Sequence, residues 1–167
     1  MSVELEVVPE TALLPEDVGA LTEWYGERFW AERPPFTCRI LARSGDEIVG
    51  HLGIGTRVVA AGDQDVQIGG IGGVRTRESW RGKGIATLLL RRAEETMRDD
   101  LSLPFGFMTC RPEIAPVYLR LGWQEVAGPT VVGAGSEAKR YAGLSLILPL
   151  ADVTWPDGPI DLRGGSW

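Results

Sequence analysis

Between Val66 and Arg98 a strand-like run, a glycine turn and a strongly periodic apolar helix follow one another without a spacer. The strand runs from Val66 to Thr76, and the turn carries Arg81, Gly82, Lys83 and Gly84. The helix is predicted over Gly84 to Arg98. Ile85, Leu88, Leu89, Ala93 and Met97 recur there at helical spacing, and Glu94 is placed to pair with Arg98. Glycines let backbone N–H groups approach a ligand closely, and a helix start adds partial positive charge. Such a turn is suited to a pyrophosphate. From Arg75 to Arg92 there are six basic side chains (Arg75, Arg77, Arg81, Lys83, Arg91, Arg92) against Glu78 alone, in a chain of net charge −6. An anion is therefore drawn to this segment. The competing reading is that the glycines only shape a helix start and the basic residues form a solvated face.

Composition narrows the rest. A chain of 167 residues, 44% hydrophobic and 24% charged, is expected to form one domain with a real core. A sequence pI near 4.9 argues against nucleic acid as the main partner and suits a cationic substrate, although acidity is also a common route to solubility. Cys38 and Cys110 lie far apart in strand-like runs, and there is one histidine. No metal-ligand spacing is present, so the cysteines read as small buried apolar residues and no metal is expected. No signal-peptide pattern or long membrane-spanning run is visible, which predicts a cytoplasmic protein without a membrane partner.

Along the chain, Val3 to Val8 reads as a strand. Pro15-Glu16-Asp17 opens a helix with the stripe Val18, Leu21, Tyr25, Phe29 and Trp30, ended by Pro34-Pro35. Strands are expected from Phe36 to Ala42, Ile48 to Ala60 and Val66 to Thr76, joined by turns at Ser44-Gly45-Asp46 and Ala61-Gly62-Asp63 as an antiparallel meander. After the long helix come a strand from Leu103 to Cys110 and a short helix from Pro112 to Leu121-Gly122. Strands from Trp123 to Val132 and Ala142 to Leu150 follow. These make one domain over 1–150. The tail, 151–167, is rich in proline and glycine and invites no assigned structure.

With that order in place, Arg81-Gly82-Lys83-Gly84-Ile85-Ala86 matches the Gln/Arg-x-x-Gly-x-Gly/Ala signature, and the chain resembles the GNAT superfamily of N-acetyltransferases. Val74-x-Thr76 and Trp80 resemble that family's approach to the loop. Val117-Tyr118-Leu119-Arg120-Leu121-Gly122-Trp123 resembles its second landmark, with Val117 in place of an aromatic residue. Pro104 to Phe107, Arg111-Pro112 and Trp155-Pro156 followed by Ile160-Asp161 resemble the nodulation N-acyltransferases. Gly128-Pro129-Thr130 and the run Asp161 to Trp167 resemble the aminoglycoside 2′-N-acetyltransferases, with Ser166 departing from their pattern. A Rossmann motif fails at Thr87, where a third glycine belongs, and a Walker motif fails at Gly84, where Ser or Thr is needed.

The resemblance implies an α/β (α+β) fold: a mixed, mostly antiparallel sheet with helices on both faces and a central parallel pair, Val66 to Thr76 and Leu103 to Cys110, that splays apart. It implies acetyl-CoA as co-substrate, with pantetheine beside Val74, Arg75 and Thr76. The pyrophosphate would sit on the N–H groups of Gly82 to Thr87 (Gly82, Lys83, Gly84, Ile85, Ala86, Thr87), with charge added by Arg81 and Lys83. Tyr118 is the candidate general acid for the departing thiolate; the alternative is an inward-facing aromatic with its hydroxyl satisfied elsewhere. His51 and the Trp167 carboxylate are the candidate bases, His51 only if the strand alternation turns it to the cleft; a structural strand histidine is the alternative. Asp161 and Trp167 are the expected substrate-binding residues, with 151–167 folding back near the acceptor site; a disordered tail is the alternative. The expected reaction is acetyl transfer to a primary amine of a small cationic molecule, such as an amino sugar or aminoglycoside, by direct attack. Its rivals are a longer acyl donor and a non-catalytic CoA-binding module. Oligomeric state is not legible; dimers are frequent in such families, and a homodimer is what the resemblance implies.

Overall fold

The computed structural model describes residues 2–26 and 35–167; the expected stripe residues Phe29 and Trp30, and Pro34, lie outside them. The strands are β1 (Glu4–Pro9), β2 (Cys38–Ser44), β3 (Glu47–Ala61), β4 (Gln64–Thr76), β5 (Phe105–Cys110), β6 (Gln124–Glu125), β7 (Thr130–Val132), β8 (Lys139–Arg140), β9 (Leu144–Pro149) and β10 (Ile160–Asp161). Three α-helices accompany them among the described residues: α1 (Pro15–Tyr25), α2 (Ile85–Glu95) and α3 (Ala115–Leu119). All the strands belong to one sheet. Its main path is β6-β9-β5-β4-β3-β10-β7-β8, with β1 and β2 added at the other end of β3.

The meander forms as its turns predict: β1, β2, β3 and β4 pair antiparallel in succession. β4 and β5 are parallel, but only over Ile68↔Phe105, Gly69↔Gly106 and Gly70↔Phe107. Beyond Gly70 the two strands part. β4 continues to Thr76 and β5 to Cys110, leaving an open wedge at the centre of the sheet.

α2 packs one face. Ile85, Leu89, Leu90 and Ala93 are buried, as is Met97 in the wider π-type turn Thr96–Asp100 that ends the helix. Each large apolar side chain placed there contributes about 1.5–3 kcal/mol. Arg98 pairs with Glu94 at 3.3 Å, as the spacing predicts. The opposite face is covered by α1, through Leu21 against Val8, Leu41 and Ile48, and by the tail.

Two regions differ from the sequence expectation. The predicted strand from Trp123 to Val132 is broken into β6 and β7 around Gly128, whose φ of +102° turns the chain. The tail is built into the sheet. β10 lies antiparallel to β3 and parallel to β7, and Ile160 and Leu162 are fully buried. Trp155 packs edge-on against Phe105 and stacks near Phe107 at 6.0 Å. Both cysteines are free and buried, and burial pushes the Cys38 thiol up to about 11. No helix among the described residues is long and apolar enough to cross a membrane, and no group of potential metal ligands occurs among them.

Candidate active site

The wedge is the candidate site. At its deep end a cavity of about 200 Å³ is lined by Ile71 to Arg75 of β4, Met108 to Cys110 of β5, Ile114, Tyr118 and Trp167. A second cavity, about 400 Å³, opens from the same point toward the glycine turn, between Trp24, Thr76, Arg81, Ala86 and Val117. Val74, Arg75, Ile114 and Tyr118 line both. Together they form a trough that enters from the turn and passes between the parted strands. A larger cavity, about 720 Å³, lies between Phe105, Ile147 and the tail around Trp155; it touches neither the turn nor Tyr118.

The turn is exposed from Arg81 to Gly84. Gly84 caps α2 in the left-handed region (φ 79°, ψ 7°), and Gly82 has φ 76°. A β-carbon at either glycine would meet open space, so their role is conformational rather than one of packing. The Leu88 N–H bonds the Gly84 carbonyl at 3.0 Å, the first bond of the helix. The N–H groups of Ile85, Ala86 and Thr87 therefore have no partner within the helix, the arrangement that accepts an anion. Lys83 lies over the Trp80 ring at 4.6 Å. Arg75 and Arg77 lie over Tyr25 and Trp24 at 4.6 and 5.0 Å, which ties the end of β4 to α1. Gly84→Ala is expected to keep the fold and, if the turn holds CoA as the resemblance implies, to weaken that binding about tenfold, because a β-carbon strains the left-handed cap by about 1–2 kcal/mol; titration calorimetry measures it.

Tyr118 stands on α3, 9% exposed, with its ring edge-on to Trp123. Its hydroxyl bonds no described residue, and the residue lines both cavities. Burial, and secondarily Cys110, raise the phenol above its ordinary value. It therefore stays protonated at neutral pH.

β4 bends at the wedge. One residue, Leu52, separates the pairs His51↔Arg75 and Gly53↔Gly72 on β3, yet two, Gly73 and Val74, separate them on β4. This is a bulge, with Gly73 in the left-handed region (φ 63°).

Trp167 lies across β3 and β4. A β-carbon at Gly55 or Gly70 would collide with its indole, and one at Gly72 would come within 2.5 Å of its main chain. Arg57 holds the tail in place, donating from Nη1 to the Leu162 and Gly165 carbonyls at 3.0 and 2.9 Å, with its guanidinium 4.1 Å over the Trp167 ring.

The fold thus gathers Val74, Arg75, Thr76, Arg81, Ala86, Tyr118 and Trp167 along one trough, with Gly82 to Thr87 at its mouth. Two expected residues lie elsewhere. The Asp161 carboxylate accepts the Arg163 N–H at 2.8 Å and lines neither cavity. His51 does not face the cleft. Its ring is fully buried beneath Tyr25 and Arg39, because the alternation of β3 turns it to the α1 face. Sequence reasoning missed Trp24 and Ile114 as lining residues; only their apolar character in short helical segments marked them.

Comparison with known proteins agrees with this geometry. A GNAT family N-acetyltransferase (YhbS) from Escherichia coli, solved in complex with CoA, superposes with a TM-score of 0.67 over 96% of this chain and 89% of its own, at 14% identity. Escherichia coli ElaA superposes at 0.62 over 88% of this chain and 99% of its own, at 16% identity. The fold is that of the GNAT-type N-acyltransferases.

Residues 16–166 match the family Nodulation protein A (NodA), and the chain belongs to that family. A Nodulation protein A from Mesorhizobium plurifarium is 33% identical over 98 residues, 58% of this chain and 48% of that protein. An aminoglycoside 2′-N-acetyltransferase from Mycolicibacterium fortuitum is 29% identical over 85 residues, 51% of this chain and 43% of that protein. The matched stretches thus span less than half of these two relatives.

Proposed function

We propose that the protein is an acyl-CoA-dependent N-acyltransferase that moves an acyl group, acetyl in the first instance, to a primary amine of a small cationic acceptor. The observation that carries this is the meeting of the two cavities at Val74, Arg75 and Tyr118, where β4 and β5 part. CoA would enter from the turn, with its pyrophosphate on the N–H groups of Gly82 to Thr87 and pantetheine along the unpaired edge of Val74 to Thr76. The thioester then arrives at Tyr118, and the acceptor approaches from the Trp167 side.

The chemistry balances without a covalent enzyme intermediate. The neutral amine attacks the thioester carbon; a C–N bond forms and the carbonyl electron pair moves to oxygen. Collapse breaks the C–S bond, and the thiolate takes the Tyr118 proton. The amine proton leaves to water or a base at the acceptor side. Positioning of an already activated thioester supplies most of the rate. The net charge of −6 favours a cationic acceptor. Membership of the NodA family keeps a longer acyl donor beside acetyl.

The deciding assay is CoA thiol release from acetyl-CoA and from longer acyl-CoA donors, across aminoglycosides, amino sugars, polyamines and peptides. Release with one donor–acceptor class is expected. CoA binding without release in any combination would leave a non-catalytic CoA-binding module as the reading.

A further inference from the structure

The transfer chemistry above leaves a buried polar chain unused. It runs from Glu10 through Arg39 and His51 to Gly73. Glu10 accepts two bonds from Arg39, at 2.5 Å from Nε and 2.8 Å from Nη2. Arg39 Nη1 lies 2.9 Å from His51 Nε2. A guanidinium only donates, so Nε2 accepts and the imidazole proton sits on Nδ1. That atom lies 3.1 Å from the Gly73 carbonyl oxygen and 3.0 Å from the Tyr25 hydroxyl. Tyr25 donates to the same carbonyl at 2.8 Å. With Nε2 engaged by Arg39, His51 is badly placed to take a proton from an amine.

The carbonyl gripped by these two donors belongs to the bulge. No peptide bond among the described residues is cis. In a planar trans peptide the Val74 N–H points opposite to the Gly73 carbonyl. The carbonyl points to the side of His51 and Tyr25, so the Val74 N–H points into the wedge between β4 and β5. Gly73, Val74 and Tyr118 line that wedge together. The β4–β5 ladder has already ended at Gly70, so β5 offers this N–H no acceptor.

We infer that His51 and Tyr25 are positioning residues that lock the Gly73–Val74 peptide and aim the Val74 N–H at the thioester carbonyl oxygen. Glu10 and Arg39 hold His51 in the tautomer this requires. The inference rests on the acyl-transfer reading of the site. In that reading a backbone N–H at this end of β4 polarises the thioester carbonyl; the side chains that aim it are what the inference adds, and it takes His51 out of the base's role.

The chain has one histidine, so nitrogen-15 spectra of the untagged protein report His51 alone. The expected pattern is a neutral ring protonated on Nδ1. On adding acetyl-CoA, the Val74 amide proton should move downfield beyond its position with CoA. In Tyr25→Phe and His51→Asn that extra movement should shrink. With the donor and amine that the wild type turns over, kcat should fall about tenfold while KM for the donor stays within about twofold, since a misaimed oxyanion donor loses part of what a deleted one loses. Both variants are first checked for unchanged CoA binding; Tyr25→Phe removes one oxygen and is the one expected to fold without loss.

An Nε2-protonated or doubly protonated ring overturns the inference. So does Tyr25→Phe with an unchanged kcat and an unchanged Val74 response. A wild type that binds no CoA overturns the acyl-transfer reading itself and takes this inference with it. That failure shows before any variant is compared.

Discussion

Tyr118→Phe should lower kcat about 10²–10⁴-fold while leaving CoA affinity unchanged. In the proposed mechanism the lost hydroxyl is the group that protonates the departing thiolate. It bonds no described residue, so its removal orphans no described partner, and the residue lines both cavities. The ring keeps its edge-on contact with Trp123, and the fold should not notice the change. The environment also fixes the pH dependence. Burial, then Cys110, raise the phenol above its ordinary value. The acid form is therefore present below that raised value and lost as pH climbs through it. The alkaline limb of kcat should fall above the ordinary phenol value of about 10, and it should vanish in Tyr118→Phe. A variant that binds CoA and retains full kcat would assign Tyr118 to packing and move the proton to water.

What the sequence announced was what is local. Arg81 to Ala86 shape a turn by their own φ preferences, and α2 follows from the spacing of Ile85, Leu89 and Ala93. Tyr118 was legible because Gly122 and Trp123 mark its short helix. The parted strands followed from the resemblance rather than from periodicity. Residues gathered by sheet pairing were not legible. Glu10, Tyr25, Arg39, His51 and Gly73 meet only because β1 pairs with β2, β2 with β3, and α1 returns over that face. The bulges between Ala42 and Arg43 and between His51 and Gly53 shift the register, and a one-residue slip moves a side chain to the other face. A two-residue strand such as β10 has no periodicity to read. It is held by its neighbours β3 and β7, and Asp161 turns toward Arg163 instead of the acceptor side.

The second large effect concerns stability. Glu10→Ala should destabilise the protein by about 2–3 kcal/mol, read as a lower midpoint in urea with an unchanged slope. Removing one partner of a buried ion pair costs about 3–5 kcal/mol, because the other charge stays buried without compensation. Arg39 is buried at 3% exposure and keeps its other contacts, among them His51, while Glu10 is 25% exposed. Water can therefore reach part of the vacated site, which places the cost below the full range. The Phe36 ring, 4.8 Å from the guanidinium, offsets a little more. Glu10→Gln keeps one acceptor and should lose less than the alanine variant. The consequence reaches the active site, since an Arg39 released from Glu10 no longer holds His51 Nε2 at a fixed place. Glu10→Ala should therefore lower kcat even at temperatures where the variant is fully folded, while CoA binding at the distant turn stays unchanged. Equal stability of Glu10→Ala and wild type would mean that water already compensates the Arg39 charge, and the chain from Glu10 to the Val74 amide would lose its anchor.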